Sequence, residues 1–131
     1  MTTKRYDIFL DNKLIGTTEL EKADAPMGVV FGLIHFTDNI LGYDFFKKYC
    51  FDNNLELAND YPEDKLISTR TIENLKIINE NGIEIKGLGN QISGMDSDEF
   101  EISLEGVAYP FFEKEFPHHV KAYNEQFKES E

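Results

Sequence analysis

Short runs of alternating apolar and polar residues fill the first third of the chain, the pattern of half-buried strands. Residues 5–11 and 14–21 are expected to pair through a turn at Asn12 and Lys13. Gly16, inside the second strand, points to a bulge or a close approach of another backbone. Residues 22–26 read as a loop. The following ten residues, MGVVFGLIHF at 27–36, are apolar at nearly every position, which predicts a strand covered on both faces at the centre of the sheet.

The period then changes. Phe46, Tyr49 and Cys50 are spaced i, i+3 and i+4, with Phe45 widening the stripe, so a helix is expected over about 43–51. Residues 52–64 carry Asn53, Asn54, Asn59 and Pro62 and read as a polar loop, with strand chemistry returning at 66–72. Asn81-Gly82 lies between two apolar runs, 75–80 and 83–88, and predicts a type I′ hairpin, because both central residues of that turn need positive φ. Gly87, Gly89 and Gly94 read as a flexible connection into a strand at 99–107. Pro117 can open a last helix over about 117–128, whose Phe116, Val120, Tyr123 and Phe127 form one stripe. Hairpins dominate and helices do not alternate with strands, so the expected class is α+β, a mainly antiparallel sheet with two helices.

Composition adds size and charge. A length of 131 residues with 40% hydrophobic residues and eleven Phe suits one domain, 1–131, around one core. The lone Cys50 cannot form an internal disulfide, and its place on the apolar side of a helix predicts a buried packing role. The N-terminus lacks the apolar stretch of a signal peptide, and no apolar run approaches the roughly 18 residues of a membrane span. The expectation is a reduced, cytoplasmic protein that does not enter membranes.

The net charge of -12 is patterned. Five of the ten residues from Asp96 to Glu105 are acidic and none is basic: Asp96, Asp98, Glu99, Glu101 and Glu105. In a strand, Phe100, Ile102 and Leu104 face one way while Glu99, Glu101 and Glu105 face the other, so a carboxylate ridge is expected. The segment 52–65 has five acids against one base, with Asp60, Glu63 and Asp64 in its second half. Such a surface repels phosphate backbones and anionic lipid and accelerates encounter with a basic protein, although excess carboxylate also serves solubility alone.

Candidate chemistry is sparse. His118 and His119 are adjacent, about 100° apart on a helix, and read as solvated residues, not a metal pair. His35, within the apolar run, reads as a hydrogen-bonded core residue, and the loop Asp24-Ala25-Pro26-Met27-Gly28 as a structural one with Met27 plugging the core. Asp52, Asn54, Glu56, Asp60 and Glu63 match calcium-loop positions, but Leu57 stands where that loop needs glycine. The run Gly87-Leu88-Gly89-Asn90-Gln91-Ile92 lacks the third glycine of a dinucleotide fingerprint. No catalytic, metal or cofactor residue is assigned.

The run Leu14 to Val29, which carries the pattern G-x-T-x-L-E-x-x-D-x-P-M-G-V, resembles the opening signature of a family of small, largely uncharacterised acidic bacterial proteins. Segments 87–95 and 109–123, the latter YPFFEKEFPHHVKAY, resemble its later signatures. The resemblance implies an immunity-type protein encoded beside a toxin, without catalytic residues. The expected function is therefore inhibition of a basic, nucleic-acid-targeting toxin domain. Asp96, Asp98, Glu99, Glu101, Glu105, Asp60, Glu63 and Asp64 are its expected contact residues. A small hydrolase or ligand-binding enzyme with a site around His35 or the Asp24-Ala25-Pro26-Met27-Gly28 loop, or an assembly scaffold, are the alternatives.

Overall fold

Alternation shapes the first strand. In β1 (Tyr6–Leu10), Tyr6, Ile8 and Leu10 are buried while Asp7 and Phe9 are partly exposed. It pairs with β2 (Lys13–Thr18) through a two-residue turn at Asp11 and Asn12, whose φ values of 50° and 66° meet the type I′ requirement. The turn thus sits one residue before its expected place. The bulge occurs beside Gly16: Ile8 pairs with Gly16 and Phe9 with Leu14, so Ile15 is the extra residue.

The computed structural model describes residues 4–129, and its class is α+β, two antiparallel sheets with helices packed on them. The remaining strands are β3 (Lys22–Asp24), β4 (Val29–Leu33), β5 (His35–Phe36), β6 (Leu57–Tyr61), β7 (Leu66–Thr69), β8 (Leu75–Ile78), β9 (Gly89–Met95) and β10 (Phe100–Glu105). The four-stranded sheet runs β5-β2-β1-β8 and the six-stranded sheet β3-β4-β10-β9-β7-β6. The helices are α1 (Tyr43–Asp52), a short α2 (Phe111–Glu115) and α3 (Pro117–Glu129). One hydrophobic cluster draws on both sheets and the helices, including Ile8 and Ile77 from one sheet, Ile92 and Ile102 from the other, and Phe46, Phe112 and Phe116. Each such side chain contributes about 1.5–3 kcal/mol on leaving water.

Five expectations change. The run 27–36 does not form one central strand, because it crosses between sheets: β4 lies one strand from the edge of the larger sheet and β5 is an edge of the smaller. Val30, Gly32 and Ile34 point inward, while Val29, Phe31 and Leu33 stay half-exposed on the outer face. The loop at 22–26 contains β3 and a turn of 3-10 helix, Ala25–Met27. The polar loop at 52–64 contains the edge strand β6. The glycine-rich connection at 87–94 is mostly β9, a central strand with Gly94 where a Cβ would sit 2.5 Å from the Glu99 carbonyl oxygen.

The fifth is the Asn81-Gly82 turn. Only Gly82 has positive φ there, and the side chain of Asn79 organises the loop: its Oδ1 accepts the N–H groups of Asn81 and Ile83, both at 2.9 Å. The flanks do meet, through an Ile78–Glu84 bridge and an Ile85 N–H to Ile77 carbonyl bond, but residues 83–88 form no strand. The expected helices appear at both places, with α2 as an addition before α3. Phe116 is buried, and Val120 and Tyr123 pack against the core; the Phe127 side chain lies outside the described residues. Among the described residues no helix is long and apolar enough to cross a membrane.

Candidate partner-binding site

The two acidic segments lie about 30 residues apart in sequence, and strand register brings them together. β7 pairs with β9 so that Leu66 faces Met95, which places the β6–β7 turn beside the β9–β10 turn. The Asp96 N–H donates to the Lys65 carbonyl at 3.2 Å and joins the turns directly. Glu63 and Asp64 on one turn, and Asp98 and Glu99 on the other, are exposed.

Two expected contact residues have structural work. Oδ1 of Asp96 accepts the Tyr43 N–H at 2.8 Å, which caps α1 from another element because Gly42, at the N-cap, has no side chain to do so. Asp60 projects from β6 toward α1, where its carboxylate accepts the Tyr43 hydroxyl and sits 3.1 Å from Lys47 Nζ. The Tyr43 hydrogen bond, then Lys47, holds the Asp60 carboxyl below the usual carboxylate range. Lys47 and Lys65 both stand over the Tyr43 ring at 5.3 Å, and Lys65 also reaches Asp44 at 3.3 Å. The nearby cations are thereby engaged with acids, and the end of the sheet keeps its negative excess.

The expected ridge is only partly formed. Phe100, Ile102 and Leu104 are buried, with Glu101 and Glu105 on the opposite face, as alternation requires. Glu99, however, lies in the turn before β10. Glu105 is at the other end of the strand opposite Gly89, roughly 13 Å from Glu101 at the usual rise per residue. Glu101, between Leu33 and Ser93 on the outer face, borders the acidic end.

Beside the β9–β10 turn opens a groove of about 590 Å³. Asp44, Asp96, Asp98 and Glu99 line it, and Ile34, Phe36, Ile40, Leu41 and Phe100 supply apolar surface. The lining rings of Phe36 and Phe100 pack mutually with the buried Phe46 at 5.6–6.0 Å, which fixes that part of the groove. A tight turn, with Asp38 Oδ1 accepting the Ile40 N–H at 3.0 Å, leaves Ile40 69% exposed. Sequence reasoning passed over Ile40 and Leu41; the available signal was an apolar pair embedded among turn formers, Asp38-Asn39 before it and Gly42 after.

Three other candidates sit differently from expectation. His35 is exposed and lines the groove, because the chain leaves the larger sheet at Ile34 and the next outward position meets solvent. His119 is not solvated: its Nε2 donates to the Leu20 carbonyl at 2.8 Å. His118 is exposed, and burial of its ring, then His119 and Lys4, pushes its pKa down. Met27 is 68% exposed and plugs nothing; Ala25 takes the buried position, and Gly28 closes the turn at φ 66°. The calcium-like residues are dispersed: Asp52 ends α1 and pairs with Lys48, whereas Asp60 lies on β6. Cys50 is buried in α1, and burial pushes its thiol pKa up.

No protein-family model, curated protein or solved structure matches this chain.

Proposed function

We propose that the chain is a cytoplasmic acidic binding protein of the immunity type, which neutralises a basic, nucleic-acid-targeting toxin domain by covering its active surface. The observation that carries this reading is the Leu66–Met95 register, which gathers Glu63, Asp64, Asp98 and Glu99 from two distant segments at one end of the sheet. A domain that holds phosphate needs a basic surface, and concentrated carboxylates steer such a surface into a fast encounter. The resemblance at residues 14–29 points the same way. Glu105, at the opposite end, and Asp96 and Asp60, already bonded within the fold, take secondary places.

The test is co-expression with the product of the neighbouring reading frame, scored by survival, followed by stopped-flow association at low salt. Protection is expected, and Glu63→Gln, Asp64→Asn, Asp98→Asn and Glu99→Gln together should slow association about tenfold or more and flatten its salt dependence. Glu105→Gln should leave the rate unchanged. Unchanged association by the quadruple variant would overturn the assignment of this surface.

A further inference from the structure

The acidic end is more than a charged surface, because its carboxylates share a groove with apolar side chains. Ile40 is exposed on a turn fixed by Asp38 and lines the groove with Leu41 and Phe36, whose ring packs on those of Phe46 and Phe100. Asp98 and Glu99, both exposed, line the same groove. Leu41 and Phe36 pack against the core as well as lining the groove, so its apolar surface is held in place, and Ile40 is its most exposed apolar residue.

The pairing of apolar lining with carboxylates selects a particular kind of side chain. Lysine and arginine carry three or four methylenes that favour apolar surface and a cationic head that favours water or a carboxylate. A short cation would reach the carboxylates and leave the apolar lining bare. An apolar side chain would cover the lining and leave the carboxylates unpaired. We propose that this groove receives a lysine or arginine side chain from a loop of the basic partner protein, its stem along Ile40, Leu41 and Phe36 and its head between Asp98 and Glu99. This rests on the reading of the acidic end as the partner surface, and it adds the anchor that a purely electrostatic encounter lacks.

Two oligomers of equal length and charge separate the ideas: oligo-lysine, and oligo-2,4-diaminobutyrate, whose ammonium groups stand on a stem two methylenes shorter. Titration of the full chain should show oligo-lysine binding about tenfold tighter, the increment expected when two methylenes leave water. Ile40→Ser, at an exposed position, should bring oligo-lysine down to the affinity of the shorter-stemmed oligomer without changing the latter. Asp98→Asn with Glu99→Gln should weaken both. Equal affinity of the two oligomers for the native chain, or a preference for lysine that survives Ile40→Ser, would overturn the groove assignment while leaving the electrostatic reading intact. Undiminished binding of both oligomers by the Asp98 and Glu99 variant would overturn both.

Discussion

Glu115 and Glu99 show what the same side chain does at two ends of this molecule. Glu115, at the end of α2, has a side chain only 11% exposed. One oxygen accepts the Tyr6 hydroxyl at 2.9 Å and lies 3.4 Å from Lys4 Nζ, and the other accepts Asn79 Nδ2 at 3.0 Å. It ties the helical end to β1 and to the loop after β8, and burial, then this glutamate, pushes the Tyr6 pKa up. Glu99 is exposed in a turn and lines the groove. A carboxylate with its acceptors occupied by internal donors is a structural part. One left exposed remains available to another molecule, and only tertiary placement separates the two.

The contrast should appear first in stability. Glu115→Ala leaves the Asn79 amide and the Tyr6 hydroxyl without their acceptor and should cost about 3 kcal/mol in urea unfolding. Asp98→Asn with Glu99→Gln should stay within about 0.5 kcal/mol of the native chain, or gain slightly from reduced repulsion. A large loss in that double variant would erase the distinction between the two ends.

Asp96 lies between these extremes, on the acidic turn yet bonded to the start of α1. Asp96→Ala should cost about 1 kcal/mol, the usual value of a helix cap, and lower the hydrogen-exchange protection of α1 more than that of β10. Equal loss in both would mean that the turn, and not the cap, was damaged.

The smallest effect concerns acid. Asp60 has a folded pKa below its ordinary 3.8, so its contribution is fully present above that value and fades as pH falls through the folded pKa. Asp60→Asn should therefore be less stable than the native chain at neutral pH, with the gap closing below about pH 4. A gap constant down to pH 2 would show that Asp60 stabilises through packing alone.

Much of the frame was legible in the residues. The alternation around Phe100, Ile102 and Leu104 marked β10, and the aromatic stripes of α1 and α3 marked both helices, because a segment with one buried face writes its own period into the sequence. The acidic character of segments 52–65 and 96–105 was likewise visible as a count. By itself the sequence determined which segments would be amphipathic and where the charge would be carried.

Tertiary structure decided the rest. β9 buries Ile92 while Gln91 and Ser93 face outward, and Gly94 is demanded by the backbone of the next strand, so nothing local announced a central strand. β6 carries turn-forming residues because it is an edge, and Asp60 is there for Tyr43 on a helix, 17 positions away in sequence. The loop at Asn81-Gly82 yielded to the side chain of Asn79. The groove required a sheet change at Ile34, a turn at Asp38 and the β9–β10 hairpin to converge. Register and packing are relations between distant segments, and a local pattern records only the face that each segment presents.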